Sequence, residues 1–98
     1  MYTTVNSIAQ LIAHNSAATY CCTLQIYSNN AIALYYENEN EMELANIMYF
    51  KNKHAVVNAF KLLVQCNASE DISISSAFYN NCKTLRNYIN KHNIEAEI

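Results

Sequence analysis

Cysteine and histidine carry the most versatile chemistry in this chain: Cys21, Cys22, Cys66 and Cys82, with His14, His54 and His92. Nucleophilic catalysis would need one thiolate brought beside one imidazole base by the fold. No family signature surrounds any of these residues. Cys22, Cys66 and Cys82 fall in or beside apolar stripes, where a free cysteine behaves as a small buried hydrophobe. Structural zinc sites use short CxxC or HxxxH spacings, and neither occurs. The one close pair, Cys21-Cys22, would point to opposite faces of a strand. No catalytic residue, metal or cofactor is therefore expected. The segment Met1-Tyr2-Thr3-Thr4 lacks a basic region and no signal-peptide pattern follows it, so the thiols read as reduced and the setting as cytoplasmic.

The most distinctive polar feature is the run Glu37-Asn38-Glu39-Asn40-Glu41-Met42-Glu43. On a continuous strand its glutamates would lie along one face, about 6.7 Å apart. Carboxylates so placed could hold a hard cation such as calcium, although the glycine and ordered spacing of an EF-hand are missing. They could equally meet a basic surface on a partner, as phosphates would. The plainest reading is a solvated loop that keeps a weakly charged protein soluble. Of the two functional readings the basic partner stands ahead of the metal, with Glu37, Glu39, Glu41 and Glu43, and the adjoining Tyr35 and Tyr36, as the binding set. The chain has 8 tyrosines, and tyrosine is common both at interfaces and in ordinary strands. Tyr27, Tyr35 and Tyr49 fall on the sheet face away from the main core. No lysine or arginine accompanies them there, which does not suit single-stranded nucleic acid.

Composition narrows the function further. The 98 residues include no glycine, proline or tryptophan, where average usage would give about seven glycines and five prolines. Glycine-rich phosphate loops and the GxSxG nucleophile elbow are thereby excluded. Apolar residues make up 52 % and charged residues 14 %, with a net charge of -2, which argues against disorder. The single arginine, Arg86, argues against direct nucleic-acid binding. No apolar run reaches the length of a membrane span. The length suits one compact domain, residues 1–98. The excess of asparagine, isoleucine and tyrosine follows AT-rich codons, a bias common in small reading frames of phages and mobile elements.

These residues must be positioned by a small set of elements. Val5, Ile8, Ala9 and Ile12 make the stripe of an N-terminal helix from Thr4 to about Ser16. Residues 18–28 alternate as a strand, and Ala31 to Tyr36 form a second, with Ile32, Leu34 and Tyr36 on one face. A three-residue turn, Ser28-Asn29-Asn30, pairs Ile26 with Ile32, Leu24 with Leu34 and Cys22 with Tyr36, so that the apolar side chains share a face. That turn needs a left-handed residue, and Asn30 is the best available without glycine. Leu44 to Phe50 is apolar on both faces and fits a central strand or a buried helix; a third strand is favoured because Ile47, Tyr49 and Phe50 suit a sheet. Asn52 caps a helix through about Gln65 with Val56, Val57, Phe60, Leu63 and Val64 inward, and Asn67 closes it. Asp71 to Ser75 is a short strand or a loop. A last helix follows Ser75 or Ser76, with Phe78, Cys82, Leu85 and Ile89 as its stripe. The alternating tail 94–98 supplies an optional C-terminal edge strand guarded by Glu95 and Glu97.

The expected architecture is α+β: an N-terminal helix, an antiparallel β-hairpin or meander of two or three strands, then two helices packed on one sheet face. The expected function is a non-enzymatic protein-binding module. In size, acidity and lack of motif the chain resembles the broad class of anti-CRISPR and anti-restriction proteins, a resemblance that carries over no residue. It implies an inhibitor from a phage or mobile element that blocks a basic surface on a host protein. The alternatives are a homo-oligomeric structural or accessory subunit, such as a homodimer, and a small Cys/His enzyme.

Overall fold

The computed structural model of the protein describes residues 2–4, 21–66 and 69–98. The N-terminal helix expected from the sequence lies, beyond Thr4, outside the described residues, as does Asn67. The described elements are β1 (Cys21–Tyr27), β2 (Ala31–Asn38), β3 (Glu41–Tyr49), α1 (Lys53–Gln65), β4 (Ser69–Ile74), α2 (Ser76–Asn80) and α3 (Lys83–Lys91). The class is α+β, as composition and periodicity indicate.

The β1–β2 hairpin has the register that burial demands. Ile26 pairs with Ile32 and Leu24 with Leu34 across an antiparallel ladder that ends at Thr23↔Tyr35. Asn30 closes the turn in the left-handed region at φ 62, where asparagine is tolerated better than other residues with a Cβ. Its carbonyl accepts from the Phe50 N–H at 2.9 Å, tying the turn to the end of β3.

The sheet is larger than a meander. Its order is β3-β2-β1-β4, and β4 runs parallel to β1. An antiparallel sheet of two or three strands is therefore corrected to a mixed one of four. A parallel neighbour needs a crossover, and α1 supplies it by carrying the chain from β3 at one edge to β4 at the other. Serine, glutamate and aspartate open β4, which disguises it: only Ile72 and Ile74 mark its inward face. The tail forms no edge strand. It makes a single parallel bridge, Ser73↔Glu97, through the Ile74 N–H to Glu97 and the Glu97 N–H to Ile72, each 2.8 Å.

Asn52 caps α1 as its position suggests, its Oδ1 accepting from the Ala55 N–H at 2.9 Å. The last helix is two helices, broken at Asn81-Cys82. The break leaves the stripe intact, because Phe78, Cys82, Leu85 and Ile89 all remain buried. Arg86 spans it, with Nη1 donating to the carbonyls of Tyr79 and Asn80 at 2.8 Å each. The three helices share one core with a single sheet face: Phe60, Leu63, Phe78 and Leu85 pack in the cluster that holds Leu24, Ile26, Ile32 and Ile74.

Asn30 yields a stability prediction. Its side-chain Oδ1 is buried with no hydrogen-bond partner among the described residues. Asn30→Gly removes that orphaned acceptor and relieves the left-handed backbone, so it is predicted to stabilise the fold by about 1 kcal/mol. Asn30→Ala removes the amide but keeps a Cβ, and should fall about 1 kcal/mol below the glycine variant. Urea unfolding of the two variants against the parent checks the order.

Candidate protein-binding surface

The acidic run is not a loop but the ends of two strands and the turn between them. β2 continues through Asn38, the chain reverses at Glu39-Asn40, and β3 begins at Glu41. Glu39 and Asn40 both adopt positive φ, 53 and 69, the pairing that a tight two-residue hairpin turn requires. Asparagine suits that position; glutamate is a rare left-handed residue, which is why no turn signal stands out in the sequence.

This geometry overturns the expectation that the four glutamates share one face. Glu37 pairs with Met42, Asn38 with Glu41 and Tyr36 with Glu43, while Glu39 sits in the turn itself. Strand alternation then puts Glu37 on the sheet face away from the helices and Glu41 and Glu43 on the opposite one. Glu37, Glu39 and Glu41 are exposed. Glu43 is held from two sides: the Tyr36 hydroxyl donates to Oε2 at 2.7 Å and the Asn38 side-chain amide to Oε1 at 3.3 Å. The hydrogen bond to Glu43, and the charge of that carboxylate, push the Tyr36 hydroxyl above its ordinary pKa. Tyr35 turns to the other face, where its hydroxyl lies 2.6 Å from that of Tyr27. Of the six residues expected to bind a partner, Tyr36 and Glu43 thus bond each other, Tyr35 bonds Tyr27, and three carboxylates face solvent.

β3 carries an extra residue here. Leu34 pairs with Asn46 but Tyr35 pairs with Leu44, so Ala45 has no register partner. Such a bulge reverses the alternation on the strand that contains it. Met42 and Leu44 therefore join Ile47 and Tyr49 on the outer face, and all four are exposed. Nothing in the periodicity of residues 41–49 marks this shift.

Pairing also gathers acidic residues that are distant in sequence. Asp71 pairs with Thr23, which pairs in turn with Tyr35, so β4 begins at the end of the sheet that bears the hairpin. Glu70 and Asp71 thus join Glu37, Glu39, Glu41 and Glu43 there. Every lysine and the arginine lie at position 51 or beyond, and Lys51 and Lys53 follow the opposite end of β3.

The remaining candidates stay apart. His54 and His92 are exposed, and the His92 ring lies against Tyr88 with centroids 4.4 Å apart and planes tilted by 47°. Cys66 is exposed, its Sγ donating to the Leu63 carbonyl at 3.2 Å, and Cys82 is buried. His14 and the side chains of Cys21 and Cys22 lie outside the described residues. Among the described residues no three His, Cys, Asp or Glu side chains are placed to hold a metal ion, and no helix is long and apolar enough to cross a membrane. No protein-family model, curated protein or solved structure matches the chain.

The tyrosine pair sets a pH prediction. The Tyr35 hydrogen bond, followed by burial and the neighbouring charge, pushes Tyr27 from 10.0 up to about 12. A pKa raised by folding means the associated stability is complete below 10.0 and is lost as pH rises through about 12. Tyrosinate absorbance should show one hydroxyl ionising near the upper value, and Tyr35→Phe should bring it back toward 10.0.

Proposed function

We propose that the protein is a non-enzymatic binding module that docks its β2–β3 hairpin on a basic protein surface. The observation that carries this reading is the gathering of Glu37, Glu39, Glu41, Glu43, Glu70 and Asp71 at one end of the sheet. A concentrated negative field steers association with a positive partner and discriminates against acidic ones. The hairpin suits docking because its ladder runs to Asn38↔Glu41 at the turn, which limits the ordering that binding would otherwise require. Met42 and Leu44 stand beside the carboxylates and offer apolar area, which charge alone would not supply.

A basic surface of this kind is what nucleic-acid-processing proteins present to phosphates. In its concrete form the proposal is an inhibitor, encoded by a phage or mobile element, that occupies such a surface on a host protein in the cytoplasm. Recognition needs no cofactor, membrane or direct nucleic-acid contact.

The test replaces Glu37, Glu39 and Glu41 together by glutamine. Binding to a captured basic partner should weaken about tenfold or more, mainly through a slower association rate that added salt mimics in the parent. Duplex DNA should displace the parent chain from that partner. Unchanged affinity in the triple variant, with circular dichroism intact, would overturn the proposal, as would a partner that binds DNA and the chain together.

A further inference from the structure

Charge is divided between the layers of the fold. No aspartate or glutamate occurs in residues 44–69 or 72–94. The three described helices lie within those ranges, so they carry no carboxylate, whereas Lys53, Lys61, Lys83, Arg86 and Lys91 all sit on them. The helical layer of an acidic protein is thus wholly cationic.

Two of those lysines meet at a cleft of about 440 Å³ between α1 and α3. Lys61 and Gln65, one turn apart, line it from α1; Thr84, Asn87 and Lys91 line it from α3, and His92 follows at the end of that helix. Thr84, Tyr88 and Lys91 recur at i, i+4 and i+7, which makes one stripe of α3 beside the buried Leu85 and Ile89. Tyr88 ties the two walls together. Its ring meets Phe60 edge-on at 6.2 Å, lies 5.2 Å from the Lys61 ammonium and touches the His92 ring. Lys61 and Tyr88 are half-buried; the other lining residues are exposed.

The lining is two ammonium groups, an imidazole, two side-chain amides and a hydroxyl around one aromatic ring, with no carboxylate. Small-molecule clefts of this size are ordinarily walled by apolar side chains with a few polar groups. Walls made of donors select instead a ligand rich in acceptors and negative charge. Lys91 stands in the last turn of α3, where a cation suits the helix dipole, but Lys61 stands ahead of the last turn of α1 and has no such role. A phosphate ester answers this lining better than a carboxylate, because it brings up to two negative charges and three strong acceptor oxygens. The stripe from Thr84 to Lys91 is about 10 Å long, too short to track a polynucleotide over the roughly four or more nucleotides that such grooves hold.

We propose that the cleft between α1 and α3 binds a small phosphate-bearing molecule. Lys61 and Lys91 supply the charge, and Gln65, Thr84 and Asn87 donate to the phosphate and to the polar groups of the body that carries it. The site shares no residue with the hairpin and goes beyond the docking role proposed above.

Titration calorimetry of the intact chain at low ionic strength tests this with glucose 6-phosphate as the probe. Saturable one-to-one binding is expected, weakening as salt is added, with none for glucose. Lys61→Met and Lys91→Met keep most of each aliphatic stem and should each weaken binding about tenfold, with circular dichroism unchanged. Lys51→Met, outside the cleft, should leave it unaltered. Amide shifts on titration of the parent chain should cluster at residues 61, 65, 84, 87, 88 and 92, which needs no substitution. Absence of saturable binding overturns the proposal, as does equal binding of citrate or affinity that survives the double lysine variant. Tighter binding of a single-stranded oligonucleotide than of the sugar phosphate also overturns it. The glutamine triple variant keeps every residue of the cleft, so phosphate binding retained when partner binding is lost, or the reverse, tells the two proposals apart.

Discussion

Everything in the described fold hangs on β1 being paired on both sides. β2 lies antiparallel on one flank and β4 parallel on the other, so Leu24 and Ile26 stand at the middle of the apolar face, each 0 % exposed. Their burial makes register costly to change, because a slip of one residue would exchange the core row for Thr23, Gln25 and Tyr27. The other elements are placed relative to that row. α1 must cross the face to reach β4, and Phe60 and Leu63 go down onto it. α2 and α3 complete the cover with Phe78 and Leu85, although a break separates them.

What could be read from the sequence follows the range of the interactions. The β1–β2 register is a local problem with two hydrophobic rows and a short turn, and the alternation of residues 22–36 solves it. The Asn52 cap of α1 and the apolar stripes of α1 and of residues 78–89 are equally local, whereas Ser75, expected as a cap, makes no side-chain capping bond. β4 is different: its parallel partner lies about fifty residues away, and Ser69-Glu70-Asp71 carries little apolar signal. The bulge at Ala45 is invisible because an alternating pattern cannot show a position that is counted twice. The hairpin at Glu39-Asn40 is hidden because glutamate is not a turn residue by habit. Its closure is decided by the pairing of Tyr36 with Glu43 and Glu37 with Met42. The candidate surface was therefore legible as a set of residues but not as a shape. Its carboxylates divide between two faces and a turn, and it gains Glu70 and Asp71 from the strand that local pattern obscured.

The lack of glycine has a structural signature. Four positive-φ residues are described, Asn30, Glu39, Asn40 and Asn93, and three are asparagine. Asparagine takes the place of glycine at the hairpin turns and after α3, at a steric cost that glycine would avoid. At Asn30 the substitute brings an amide oxygen that finds no partner among the described residues. Composition thus limits how tightly this fold is held, independently of its function.

The layout of charge has a consequence that the small net value hides. The molecule measures 35 × 28 × 23 Å, while the electrostatic screening length is about 8 Å at physiological ionic strength. Charges at opposite ends of β3 are therefore effectively deaf to one another through solvent. A macromolecule approaching the hairpin meets a strongly negative object, one approaching Lys51 and Lys53 meets a positive one, and neither meets the value of -2 that the sequence sums to. The two ends of β3 thus present opposite signs to whatever reaches them.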